Sequence, residues 1–289
     1  MNKETKNFLI KTAITMGVLT GVAIAVAGTQ GFIFNLPSGG NWYFSRRVFN
    51  EMKKLDKKYG LFDTFNSSVS GNTIREKRIS IETNSLKNID ELEEPMRSII
   101  RRVIKGWYVV SRTGQPYDII TNGSIIVIAY NKGLIPYVVE TRRTLSRQYK
   151  LYTQGYGSKS VTKAEPPYSN HVLGLACDIW FYDLKNDKFN WKDLCSLNHA
   201  IYRLIKDNLD NRIVWGGLWD NFKDCPHFEI NIRNAIKEPS RYNDLSTLVP
   251  KYEEMATDYY NTMSSMGYAC KVDSATLKLY DCIHRPGEK

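Results

Sequence analysis

Histidine is scarce in this chain, four among 289 residues, so chemistry built on imidazole has few places to sit. Two of the four, His171 and His227, lie in short motifs that also carry carboxylates. His199 has no acid at ligand spacing and reads as a surface or packing residue. Cysteine is scarce too: its five copies are irregularly spaced, form no CxxC pair and outline no disulfide framework. Acidic residues are in deficit, 30 against 40 Lys and Arg, which leaves a formal charge of +10. That balance suits an anionic partner. The basic residues are scattered and accompany no nucleic-acid motif, so nucleic acid is not an expected partner. At 42% hydrophobic, the chain can bury one full core plus small appendages.

One stretch lacks charge altogether. Thr12 to Phe34 contains no Asp, Glu, Lys or Arg and is long enough to cross a hydrocarbon core of about 30 Å as a helix. Within it, Ala25-Val26-Ala27 also satisfies the small-x-small rule of a signal-peptide cleavage site. The apolar run continues past that point through Gly31-Phe32-Ile33-Phe34, which favours an uncleaved membrane anchor. Gly17, Gly21, Ala25 and Gly28 recur at three- and four-residue spacing, either a helix-contact face or glycine tolerated in lipid. Lysines precede the span and Arg46 and Arg47 follow it, so the basic-loop rule does not orient it.

The chemistry concentrates in Ser169-Asn170-His171-Val172-Leu173-Gly174-Leu175-Ala176-Cys177-Asp178 and in Asp224-Cys225-Pro226-His227-Phe228-Glu229. Two imidazoles and one carboxylate make a three-ligand zinc site with a fourth position open for water, the catalytic rather than the closed structural arrangement. The remaining acid is then available as a general base. Leu175 to Tyr182 reads as a strand, and Gly174 lets the backbone bend so that His171 and Asp178 face one point. Ala176 shares a side of that strand with Asp178 and leaves room beside a metal, whereas Cys177 points the other way and is not an expected ligand. Pro226 fixes the backbone ahead of His227, so Asp224 and His227 converge across a tight turn. Val214-Trp215-Gly216-Gly217-Leu218-Trp219 precedes the second motif. Its glycines permit close backbone approach, and Trp215 reads equally as a cleft wall for an extended peptide or as core.

The pattern S-x-H-x-x-G-x-A-x-D, then W-G-G-x-W and D-x-P-H-F-E, resembles the zinc peptidases of peptidoglycan, the D-Ala-D-Ala carboxypeptidase and L-Ala-D-Glu endopeptidase group. The D-x-P-H form is more similar to the phage-endolysin, L-Ala-D-Glu branch than to the carboxypeptidases, where a Glu usually takes the place of Asp224. Upstream, Glu140 to Gly155 is similar to the family's E-x-x-R-S-x-x-x-Q-x-x-L-Y-x-Q-G segment. Thr144 replaces the usual Ser, and Leu218 sits where an acid is common. The resemblance covers roughly Leu92 to Ile232. It implies that His171, Asp178 and His227 are zinc ligands, that Asp224 is the catalytic acid and base, and that Arg143 steadies the substrate or the developing oxyanion. Ser169, Gln148 and Trp215 join Arg143 as implied substrate contacts. The implied substrate is a peptidoglycan stem peptide, with L-Ala-D-Glu as the leading bond and D-Ala-D-Ala carboxypeptidase as the alternative. From a different class, a non-catalytic wall-binding or virion structural protein is the rival, and the intact ligand set argues against it. The implied location is a single-pass membrane protein with its catalytic domain facing the wall, or a component of a phage virion.

The remaining sequence frames this domain. Residues 1–11 read as a cytoplasmic tail, 12–34 as the transmembrane anchor, 35–88 as a linker and small accessory region, 89–239 as the peptidase domain and 240–289 as a helical extension. Trp42 to Tyr59 reads as a helix, and the alternation Arg78-Ile79-Ser80-Ile81-Glu82 as a strand. Met96, Ile99, Ile100, Val103, Ile104 and Trp107 repeat at helical spacing behind Glu93, Glu94 and Pro95. Ser124 to Tyr130 and Ile135 to Glu140 read as strands, and Trp191 to about Leu209 as a helix capped by Asn190. A last helix carries Tyr252, Met255, Tyr259 and Met266 on one side and stops at Gly267. The expected fold is α+β: a small antiparallel sheet flanked by helices with a zinc site, plus an N-terminal transmembrane helix.

Overall fold

The computed structural model describes residues 23–25, 31–35, 41–118, 120, 124–154, 162 and 164–266. In chain order its strands are β1 (Ala23–Ala25), β2 (Gly31–Asn35), β3 (Asn41–Ser45), β4 (Leu134–Glu140), β5 (Ala176–Asp183), β6 (Lys188–Phe189), β7 (Val214–Trp215) and β8 (His227–Glu229). Its helices are α1 (Arg46–Tyr59), α2 (Ile74–Asp90), α3 (Met96–Thr113), α4 (Ser124–Asn131), α5 (Leu145–Thr153), α6 (Leu194–Asn208), α7 (Ile232–Lys237) and α8 (Leu248–Ser265). The chain divides into two compact units. One comprises Met1–Leu61, Thr144–Ser169 and Tyr252–Lys289, the other Phe62–Arg143 and Asn170–Lys251.

In the first unit, β1, β2 and β3 form an antiparallel sheet, with Ala25 opposite Phe32 and Phe34 opposite Trp42. The parts of Thr12 to Phe34 that are described are therefore strands, not the expected membrane helix; the rest of that span lies outside the described residues. A charge-free apolar run fits either period, and Phe32-Ile33-Phe34 has the aromatic and β-branched character of a strand. Among the described residues no helix is long and apolar enough to cross a membrane. Trp42 likewise belongs to a strand, and the helix expected from there begins at Arg46. Ser45 caps it by accepting from the Val48 amide at 3.4 Å, and Gly60 closes it at φ 62°. Buried Asp56, near the end of α1, accepts the Leu145 and Ser146 amides at 2.7 and 3.2 Å and so holds the start of α5. The buried side of α8 carries Tyr252, Met255 and Tyr259 as expected, but with Met263 in place of Met266.

The second unit is built on an antiparallel sheet of order β4-β5-β8-β7, with β6 paired to the outer end of β5. Ile135, Tyr137 and Val139 of β4 and Tyr182 of β5 share a core with Leu184 and with Ile81 of α2. Helix α2 occupies the stretch expected to hold a strand. Its start is a capping box, Thr73 Oγ1 accepting from the Glu76 amide while Glu76 accepts from the Thr73 amide. Ile81, Ser85, Asn88 and Ile89 then form the buried stripe, and Ile79 is left in solvent. Ser124 to Tyr130 is also a helix rather than a strand; a short apolar run bounded by polar residues does not distinguish the two. Helix α3 lies where periodicity placed it; α6 begins at Leu194 rather than Trp191, with Asp193 and not the expected Asn190 in the cap position. Asn190 sets the start of α6 from outside, its Oδ1 accepting the Asp193 amide at 2.9 Å. The cysteine reading needs a correction. Cys195 on α6 is disulfide-bonded to Cys225 in the loop before β8, a pairing across 30 residues that irregular spacing concealed. Cys177 is a buried free thiol.

Candidate metal centre

Sheet register gathers the site. On β5 and β8, Asp178 stands opposite His227 and Ala176 opposite Glu229, and directly paired residues project from the same face. A register shift between Val138 and Glu140 then sets Glu140 opposite Asp178. Glu140, Asp178 and His227 thus form one row across three strands. His171 reaches the row from the loop before β5, where Gly174 adopts φ 71°, a left-handed conformation costly for any other residue. Its amide donates back to the His171 carbonyl at 3.1 Å and closes the turn.

Three ligand atoms converge. His171 Nε2 lies 3.2 Å from His227 Nδ1 and 3.4 Å from Asp178 Oδ1, and His227 Nδ1 lies 3.3 Å from the same oxygen. The outer nitrogens explain why these atoms face inward. His171 Nδ1 donates to the Thr141 carbonyl at 3.1 Å, which leaves its Nε2 a bare acceptor. His227 Nε2 faces Glu229 Oε2 at 3.0 Å, and Glu229 is held in turn by Asn170 Nδ2 at 2.8 Å and Asn231 Nδ2 at 3.0 Å. Two imidazole nitrogens and a carboxylate oxygen this close repel unless a proton or a metal ion lies among them. Two imidazoles and a carboxylate, each oriented by an outer partner, suit a divalent cation. Cys177 is not among the converging groups, as its place on the strand predicts.

Without a metal ion, a proton on His227 supplies the positive charge. Burial draws the His227 imidazolium down, but hydrogen bonds to Asp178 and Glu229 outweigh it and lift His227 to about 10. Burial opposes the ionised Asp178 carboxylate, yet the two histidines hold it well below the usual carboxylate range. Glu229 is likewise kept ionised against burial by His227, Asn170 and Asn231. Asp224 moves the other way: burial and the negative Asp178 raise it, with the histidines and Arg143 opposing. It is the carboxylate of the cluster most ready to take a proton.

Asp224 is placed by backbone. Its amide donates to the Gly216 carbonyl at 3.0 Å, and its own carbonyl accepts from the His227 amide at 3.2 Å. A Cβ on Gly216 would come within 2.5 Å of the Asp224 carbonyl oxygen, so only glycine lets the two segments approach. Arg143, buried, fork-bonds Glu140 through Nε at 3.3 Å and Nη2 at 2.5 Å and lies 3.8 Å from Asp178 Oδ2. Trp215 resolves toward core. It is buried, its Nε1 donates to the Cys225 carbonyl at 2.8 Å, and its ring lies 5.9 Å from Tyr202 and 5.4 Å from His199. Exposed His199 thus has the packing role expected of it. Trp219, half-buried, lies 5.2 Å from the His227 ring. Ser169 and Gln148 belong to the first unit; both are buried, and Gln148 Nε2 donates to the Ala164 carbonyl at 2.7 Å. Glu229, Thr141 and Glu140 carry positioning work that the sequence reading did not assign.

Comparison with known proteins bears on the same segment. A peptidase M15 family model described as D-alanyl-D-alanine carboxypeptidase matches residues 162–230. The peptidoglycan L-alanyl-D-glutamate endopeptidase CwlK of Bacillus subtilis (strain 168) is 31% identical over 117 residues, 35% of this chain. The chain spans 64% of the length of that relative. A crystal structure of the Serratia marcescens L-Ala D-Glu endopeptidase ChiX shares 18% identity at a TM-score of 0.33, over 52% of this chain and 88% of that one. The segment matched by the family model holds His171, Asp178, Asp224 and His227, and the chain is thus similar there to D-alanyl-D-alanine carboxypeptidases and, over 117 residues, to an L-alanyl-D-glutamate endopeptidase.

Proposed function

We propose that the chain is a zinc-dependent peptidoglycan peptidase that hydrolyses a stem-peptide bond, L-Ala-D-Glu first among them. The observation that carries this is the triangle of inward-facing ligand atoms of His171, Asp178 and His227 with the raised carboxyl of Asp224 beside it. His171 Nε2, His227 Nδ1 and an Asp178 oxygen would hold the zinc, which supplies Lewis acidity and makes water a nucleophile near pH 7. Asp224 accepts the proton of the attacking water and returns it to the leaving amine, so the peptide bond is replaced by a carboxylate and an amine. Arg143, fixed by Glu140, offers N–H donors to the carbonyl oxygen as charge develops on it. The L-Ala-D-Glu choice is supported by the D-x-P-H sequence and the curated relative. The description of the matching family model favours D-Ala-D-Ala carboxypeptidase as the second reading.

Digestion of purified muropeptides followed by mass spectrometry separates these. Cleavage at L-Ala-D-Glu releases the stem without its first alanine; carboxypeptidase action removes only a terminal D-alanine. Asp224→Ala is expected to keep its zinc and fold while losing turnover by about 10²-fold or more, and His227→Ala to lose most of the metal along with activity. Metal loss from Asp224→Ala in step with activity would make Asp224 a ligand and overturn its assignment as the base.

A further inference from the structure

A cluster of aromatic rings lies just outside the metal centre. Trp180 stands two residues beyond Asp178 on β5, so both side chains leave the same face of the strand, their Cα atoms about 7 Å apart. Around its indole lie Phe65 at 5.9 Å, Phe189 at 5.0 Å and Trp191 at 4.9 Å between ring centroids, all edge-to-face. Phe189 and Trp191 also meet, at 6.1 Å. These rings are not sealed in the core: Trp191 is 57% exposed and Phe65 41%. Trp180 and Phe189 are partly buried, and Phe189 also packs on Tyr137 and Tyr182 of the core, so the cluster runs from the core to an apolar surface that a ligand can cover.

Two features select the occupant. The four rings carry no charge among them, which suits a neutral ligand better than a phosphate or carboxylate. The exposed part of the Trp191 indole bears the negative side of the aromatic quadrupole on its face, complementary to the polarised C–H groups on the flat face of a pyranose. Position supplies the rest. If the bond cut is L-Ala-D-Glu, a single alanine separates it from the lactyl group of a muramic acid sugar. One extended residue spans about 3.3–3.6 Å, so that sugar falls one to two residue lengths from the reacting carbonyl, the reach from Asp178 to Trp180.

We propose that Phe65, Trp180, Phe189 and Trp191 form a platform on which an N-acetylhexosamine ring of the glycan strand stacks. The identity of the sugar rests on the endopeptidase reading proposed for the metal centre. The platform makes the enzyme prefer stems still attached to glycan over released peptides, because part of the binding energy comes from the sugar.

The test uses the full chain and three probes: the disaccharide GlcNAc-MurNAc carrying a stem tetrapeptide, the same tetrapeptide free, and the disaccharide with no peptide. Trp191→Ala and Phe65→Ala are each expected to raise KM for the disaccharide-peptide about tenfold, within the range of one aromatic stacking contact. Both should leave kcat on that substrate and kcat/KM on the free peptide within about twofold. Calorimetric binding of the bare disaccharide should be seen in the unsubstituted chain and lost in both variants. Equal losses on the two peptides, no loss on either, or no binding of the disaccharide overturns the platform. The calorimetry needs no turnover. A chain that hydrolyses neither peptide refutes the endopeptidase reading, and the disaccharide titration still decides the platform.

Discussion

His227 shows how much of a site one residue can require. Its inner nitrogen faces His171 and Asp178, and its outer nitrogen faces Glu229, which two asparagine amides hold in turn. Glu229→Gln keeps an acceptor near His227 but removes the charge that raises the basicity of the ring. Metal affinity measured by chelator competition is expected to fall about 10–100-fold with the fold intact by circular dichroism; unchanged affinity would leave Glu229 a bystander. At this scale the sequence was informative because ligand chemistry is written in side chains. His171 and His227 stand out as scarce residues with Asp178 and Asp224 at fixed spacings from them, and Glu229 was legible in principle, two residues along a strand from His227 and hence on its face. The Thr141 carbonyl that orients His171 was not legible, since every residue offers a carbonyl and only the folded path selects one. Trp215 stayed open in the sequence for a related reason: an indole beside paired glycines suits a cleft and a core equally, and only its bond to the Cys225 carbonyl decides.

Among the elements, the misread stretches share a cause. Arg78 to Glu82 alternates in polarity and reads as a strand over five residues. Over seventeen, the capping box at Thr73 and the buried stripe through Ile81, Ser85, Asn88 and Ile89 make it a helix. That stripe also serves β4, because Ser85 Oγ accepts the Val138 amide at 3.1 Å and Asn88 Nδ2 donates to the Val138 carbonyl at 2.9 Å. Backbone groups of β4 beside the bulge that aligns Glu140 are thus satisfied by side chains of α2. Thr73→Ala should cost about 1 kcal/mol in denaturant-induced unfolding, with the metal retained; a change below about 0.3 kcal/mol would mean the exposed cap contributes little. Helix α3 was legible because its apolar period runs unbroken from Met96 to Trp107. Ser124 to Tyr130 was not, because the six apolar residues after Ser124 are too few for any period to show.

For the whole molecule, the legible part is the segment whose residues carry chemistry, and the opaque part is the chain on either side of it. Residues 12–34 carry no charge, and although the described parts of that run are strands, we propose from its composition that the chain is held at a membrane surface facing the wall, with a phage virion as the other setting. Intact-mass measurement of membrane and soluble fractions tests this: a full-length chain released only by detergent is expected, and a soluble mature chain beginning at Gly28 would refute retention. The Cys195–Cys225 bond adds a property of the molecule that no single residue shows. An intact mass about 2 Da below the fully reduced value is expected for this one bond, and reduction should cost about 3–4 kcal/mol of stability by the loop-entropy relation for 30 residues. Cys225 stands between Asp224, the proposed proton acceptor, and His227, a proposed ligand, so the tie to α6 restricts the segment that carries both. Its disorder is removed once, when the thiols are oxidised, rather than at each encounter with substrate. A chain in a reducing compartment would keep its ligands and its fold yet spend less time with Asp224 aligned, so the same polypeptide works faster after it meets an oxidant.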